Sequence, residues 1–115
     1  MTIARHNAGP RMSGAVVHNN TVYLAGQVAG DSSAGVKGQT EQILKKIDDL
    51  LKAAGTDKSK LLSATIFLAD MRGFEEMNSV WDAWVVSGST PGRATVEARL
   101  ANPKLLVEIV AIAAI

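Results

Sequence analysis

The chain has 115 residues, 47% of them hydrophobic and 20% charged, with a net charge of +1. That length suits a single domain over residues 1–115, able to bury roughly two thirds of its unfolded surface. The near-neutral balance gives no electrostatic pull toward nucleic acid or an anionic membrane. The absence of cysteine excludes disulfides, a thiol nucleophile and a thiolate metal site, and fits a cytoplasmic protein.

The opening Met-Thr-Ile-Ala-Arg-His carries no long apolar core, so no signal peptide is expected. Residues 2–7 are read as a short strand, broken by Gly9-Pro10. Ser13–His18 and Thr21–Val28 read as two strands joined by Asn19-Asn20, since asparagine tolerates the positive φ of a tight hairpin. Gly30 to Gly35 is a loop. From Ile43 onward, Leu44, Ile47, Leu50, Leu51 and Ala54 recur at steps of three and four, which predicts a helix over 36–54 with one buried face. Gln39, Glu41, Lys45, Lys46, Asp48, Asp49 and Lys52 fall on its other side, and Gly55 suits a C-terminal cap.

Leu61–Ala69 is a mostly apolar run, read as a strand buried on both faces, with Asp70 set to cap the next helix. In that helix Phe74, Met77, Trp81 and Trp84 form a stripe, and Gly88 is expected to end the helix. Tryptophans at this spacing read as core or interface rather than as a cofactor box. Two strands follow, separated by Asn102-Pro103-Lys104. The order is βββαβαββ, and two helices on one face of a mixed sheet make an α+β two-layer domain. The last strand is apolar at odd and even positions alike, so its second face needs a cover, and another copy of the chain fits that need. Its apolar run of 11 residues is too short to span a membrane and contains Glu108.

Two polar residues stand out in the last two strands. Arg93 follows Pro91-Gly92 at a strand end where loops converge, and is either a surface charge or a guanidinium fork for a carboxylate. Thr95, Glu97 and Arg99 alternate with it and read as a solvent-facing polar row. Glu108 lies among Val and Ile, so it is either paired with a structural arginine or placed to hold a water or a polar substrate group. Gly26 breaks a strand after Ala25, as a bulge or a ligand's close approach does. His6 and His18 have no second ligand at metal spacing, so no metal is expected. Ser13, Ser32, Ser33 and Ser63 have no base beside them.

Taken together, Leu24-Ala-Gly-Gln27, Ala53-Ala-Gly55, Ile66-Phe-Leu-Ala-Asp70, Met77-Asn78, Pro91-Gly-Arg93 and Val107-Glu-Ile109 resemble, in order and spacing, the YjgF/RidA reactive-intermediate deaminase family. Arg11-Met-Ser13 and Trp81-Asp-Ala-Trp84 are similar to its short YoaB-like branch. The resemblance implies a chorismate-mutase-like fold, assembled as a homotrimer with clefts between subunits and needing no metal or organic cofactor. It implies hydrolysis of reactive 2-imino and enamino acids to 2-oxo acids and ammonia. Arg93 matches the arginine that grips the substrate carboxylate, and Glu108, 15 positions on, the glutamate that positions the attacking water. Asn78 matches a cleft-lining asparagine. Thr95 stands where RidA-type members carry cysteine, Ala25 where they carry serine before the Gly-Gln pair, and Arg11 or Met12 near their cleft tyrosine.

The expected catalytic residues are therefore Arg93 and Glu108, and the expected substrate-binding positions Arg93, Asn78, Thr95, Ala25 and Gly26. The expected partners are other copies of the chain and a small carboxylate metabolite, with no membrane and no nucleic acid. The departures at Thr95 and Ala25 leave open a second class, a non-catalytic trimer that binds 2-oxo acids as a sensor or chaperone-like protein.

Overall fold

The computed structural model describes residues 2–115. Asn19 and Asn20 set its first hairpin, with φ of 51° and 59°. Successive left-handed residues make a type I′ turn, whose twist matches the strands it joins. Those strands are β2 (Ala15–His18) and β3 (Thr21–Leu24). Strand β1 (Ala4–His6) stops at Asn7, which also turns left-handed with φ 51°. Regular pairing of β3 ends at Leu24, short of the expected Val28, although Gln27 keeps an isolated bridge to Ile109.

Helix α1 (Val36–Ala53) buries Ile43, Leu44, Ile47, Leu50 and Leu51. It closes at Gly55, φ 86°, where the N–H groups of Gly55 and Thr56 donate to Lys52 O and Leu51 O at 3.1 and 2.9 Å. Those paired bonds are a Schellman cap, and the left-handed residue is why glycine sits there. One expectation for this helix fails: Gln39 is fully buried rather than outward-facing. Its amide nitrogen donates to Ala34 O at 3.0 Å and Lys104 O at 2.9 Å, and its oxygen accepts from Leu106 N at 2.9 Å. A buried amide with its donors and acceptor used is tolerable. It pins the loop before the helix to the segment that leads into the last strand.

Strand β4 (Leu61–Leu68) is followed by a 3-10 turn, Met71–Gly73, and by α2 (Phe74–Trp84). Asp70 caps that turn, accepting from Arg72 N at 2.9 Å, rather than α2 itself, whose N-cap is Gly73. The helix ends at Trp84, earlier than the expected stop at Gly88, because Val85 is already extended; Gly88 turns left-handed with φ 82° in the loop that follows. Strands β5 (Gly92–Glu97) and β6 (Val107–Ala114) complete the chain.

The sheet order is β1-β2-β3-β6-β4-β5, antiparallel throughout except for the parallel pair β4–β5. The two-layer α+β architecture and the order βββαβαββ are as the sequence predicts. Both helices pack on one sheet face, where Val22, Leu24, Ala64, Ile66, Leu68, Val107, Ile109 and Ala111 share a core with α1, Met77 and Trp81. The other face is open. Its residues in β4 and β6, including Phe67, Val110 and Ile112, are half-buried, and Tyr23 and Val96 are 47% and 40% exposed. On one chain, then, β4 is buried on one face only, not on both as its composition suggested.

Candidate functional site

Register decides where the two awkward residues point. Arg93 pairs with Ala64 and Thr95 with Ile66, and paired neighbours in a sheet share a face. Arg93, Thr95 and Glu97 therefore project toward the helices, while Ala94 and Val96 are the exposed side of β5. The polar row runs out into solvent only at its far end, where Glu97 and Arg99 are exposed as expected. Arg93 and Thr95 are half-buried at the edge of the helical layer, and the apolar side of the strand is the open one. Glu97 has a structural use that sequence reasoning missed, since its Oε1 accepts from Met71 N at 2.9 Å.

The guanidinium carbon of Arg93 lies 5.9 Å from the ring centre of Phe74 and 5.4 Å from that of Trp81. Asn78 falls between those residues on the same face of α2, four after Phe74 and three before Trp81. The Oδ1 of Asn78 and the Oγ1 of Thr95 are buried and unpartnered. Buried polar atoms normally find partners, so such orphans ask for a ligand, a water or a neighbouring chain. Among the described residues Arg93 makes no ion pair.

Glu108 faces the other way. It pairs with Phe67 across β4–β6, on the open face, and is half-buried without an ion pair among the described residues. Its carboxylate lies against the backbone of Gly26. A Cβ built on Gly26 would overlap Glu108 Oε2 and stand 3.0 Å from its Cδ. Gly26 thus marks a close approach, and the group that approaches is a side chain of the same subunit. Ala25, beside it, donates its N–H to Gly14 O at 2.9 Å.

One chain accordingly groups Asn78, Thr95 and Arg93 on the helical side and Gly26 with Glu108 on the open side, and does not bring Arg93 and Glu108 together. A depression of about 740 Å³ lies under the loop after β5, lined by Glu97, Arg99, Asn102 and Pro103 among others. Neither it nor two smaller ones, about 440 and 290 Å³, is lined by Arg93 or Glu108. His18 sits on the open face with Nδ1 buried and unpartnered. Among the described residues no three His, Asp or Glu side chains form a metal-binding group, and no helix is long and apolar enough to cross a membrane.

The family model described as Endoribonuclease L-PSP matches residues 2–115. RutC family protein YoaB of Escherichia coli (strain K12) is 50% identical over 115 residues, which is 100% of each chain. The chain belongs to this YjgF/Rid family. Among solved structures, NMB1025, a YjgF family member from Neisseria meningitidis, matches with a TM-score of 0.96 at 45% identity, over 99% of this chain and 95% of that one. The mouse protein named 2-iminobutanoate/2-iminopropanoate deaminase is 36% identical over 107 residues, 88% of this chain and 78% of its own. Membership of the YjgF/Rid family accounts for the shared sheet order. The name of the mouse relative supplies a reaction against which Arg93 and Glu108 can be considered.

Proposed function

We propose that this YjgF/Rid protein assembles as a homotrimer and hydrolyses 2-imino acids to 2-oxo acids and ammonia in clefts between its subunits. The observation that carries the reading is the placement of Arg93 and Glu108 on opposite faces of one sheet. A site that uses both must draw them from two copies. The half-buried apolar face around Glu108, with Tyr23 and Val96 exposed, is the surface on which a second copy would sit. The name of the mouse relative supports the reaction class. The compartment in which we place it is the cytoplasm.

The chemistry needs little beyond placement. Arg93 binds the substrate carboxylate through two N–H donors and draws electron density from the adjacent imine carbon. Glu108 orients a water and accepts one of its protons as the oxygen attacks that carbon. Glu108 passes that proton to the nitrogen and then relays the hydroxyl proton to it as the C–N bond breaks, so that ammonia leaves and a C=O replaces the C=N. Asn78 and Thr95, with unpartnered oxygens near Arg93, would hold polar groups of the bound substrate. RNA cleavage, the activity in the family description, is the weaker reading, because basic residues are scattered in a chain of net charge +1. Tight RNA binding that weakens steeply with salt would reverse that order.

The test is complementation. Arg93→Ala and Glu108→Gln are each expected to abolish the loss of semicarbazide-trapped imino acid that wild type causes when an amino-acid oxidase supplies the imine. When the two inactive variants are unfolded, mixed and reassembled, about a quarter of the clefts regain both residues, and activity returns in that proportion. No recovery, with mixed assemblies verified, excludes a shared site. If wild type never lowers the trapped imine but is heat-stabilised by 2-oxo acids through Arg93, the protein is instead a non-catalytic carboxylate binder.

A further inference from the structure

Arg93 poses a physical problem that the proposed reaction does not address. A half-buried guanidinium without a carboxylate partner should either swing into water or acquire a counter-ion. It does neither. Its charge instead sits within 6 Å of the ring centres of Phe74 and Trp81, at 5.9 and 5.4 Å. A ring face attracts a cation through its quadrupole but brings no negative charge and no oxygen acceptor. A structural Asp or Glu in the same place would fix the arginine equally well. It would also neutralise the guanidinium and occupy the N–H fork that an incoming carboxylate needs.

The shelf is itself braced. Trp81 is 5% exposed and packs against Trp84, with ring centres 5.4 Å apart and planes tilted by 49°. The indole N–H of Trp84 donates to both carboxylate oxygens of Asp48 on α1, at 3.1 Å each. Lys58 Nζ lies 5.1 Å from the ring centre of Trp84. A continuous set of contacts therefore runs from α1 through both tryptophans to Arg93. The stripe that reads as plain core in sequence ends on the one cation singled out for substrate.

We propose that Phe74 and Trp81 are positioning residues: they form an aromatic shelf that holds Arg93 in place, charged and with its donors free, for the carboxylate of the substrate. The shelf acts through Arg93 and touches no reacting atom. The inference rests on the proposed carboxylate-binding role of Arg93, so its test carries one readout independent of ligand.

That readout is side-chain NMR of the ligand-free assembly with ¹⁵N-labelled arginine, the Arg93 signal being assigned by its disappearance in Arg93→Lys. Ring currents from the shelf shift the Arg93 Nε–H resonance away from the position of free arginine, and Trp81→Leu moves it back. Titration with 2-oxobutanoate, the stable oxo analogue of an imino acid, gives the second. Trp81→Leu and Phe74→Leu each weaken binding by roughly twofold to thirtyfold, and Trp81→Phe, which keeps a ring face, restores most of it. In turnover the loss appears chiefly in KM, and Trp81→Phe recovers it. A wild-type Arg93 signal at the free-arginine position overturns the shelf, as does unchanged affinity in folded Trp81→Leu and Phe74→Leu. A wild-type protein that binds no 2-oxobutanoate but shows the shifted signal overturns the function proposed for Arg93 and leaves the shelf standing.

Discussion

Glu108 and Gly26 compete for one volume, and the absence of a side chain at 26 settles the competition. The carboxylate lies where a Cβ would be, its Cδ only 3.0 Å from that position. Gly26 does not have a left-handed φ, so alanine meets no backbone obstacle there and its effect falls on Glu108 alone. Gly26→Ala is therefore expected to displace the carboxylate while leaving the thermal midpoint within a few degrees of wild type. If Glu108 is the base, turnover falls at least tenfold, toward the level of Glu108→Gln. A Gly26→Ala enzyme with full activity would mean that Glu108 is not needed where it stands.

Gln39 makes a sharper prediction about stability. Replacing it by leucine keeps the bulk but removes the partner of Leu106 N, Ala34 O and Lys104 O, whose bonds are part-buried. A stranded buried group costs about 1–3 kcal/mol, so Gln39→Leu should lower unfolding stability by at least about 1 kcal/mol. Urea titration measures it. A loss below about 1 kcal/mol would show that water replaces those bonds.

The open face predicts its own test. Ile112 is half-buried at the middle of β6, across from Ser63 and Tyr23. Ile112→Lys places a charge on the surface proposed to meet another copy, where it has no partner. Sedimentation should show trimer for wild type and monomer for the variant, with far-UV circular dichroism unchanged. A wild-type protein that sediments as a monomer removes the basis for a shared site.

At the start of α2 the bidentate pair of Asp70 with Arg72 sets a pH response. The Arg72 side chain, then its backbone N–H, hold the Asp70 carboxyl down from 3.8 to about 2. A carboxyl with a lowered folded pKa stabilises the fold above its ordinary pKa and loses that contribution as pH falls. The window here is roughly pH 4 down to 2. Both residues are exposed, so the effect is small. In Asp70→Asn the pH dependence of the thermal midpoint should flatten across that window, while the midpoint near neutral pH moves little.

Much of this arrangement can be read from sequence, for identifiable reasons. Helix α1 follows from a long apolar period and a glycine stop. The first hairpin follows from Asn19-Asn20, and the need for a covered second face from a last strand that is apolar at every position but Glu108. Gln39 escaped because periodicity ranks residues by polarity, and a glutamine that satisfies two loops looks outward-facing until those loops are placed. The direction of Arg93 escaped for another reason. Alternation says which residues of a strand share a face but not which face the helices cover. That assignment needs the register of β4 against both neighbours, because Arg93 pairs with Ala64 and Glu108 with Phe67. The resemblance pointed to both residues. Only the topology shows that a sheet lies between them.

In the proposed assembly, that intervening sheet would tie catalysis to concentration. A separated copy would keep its core, its caps and both key side chains, yet hold only half of each proposed site. Under dilution that dissociates the assembly, activity per milligram should collapse while spectra and melting of the chain report an intact fold. An assay run at nanomolar protein would then record an inactive enzyme that is not a damaged one.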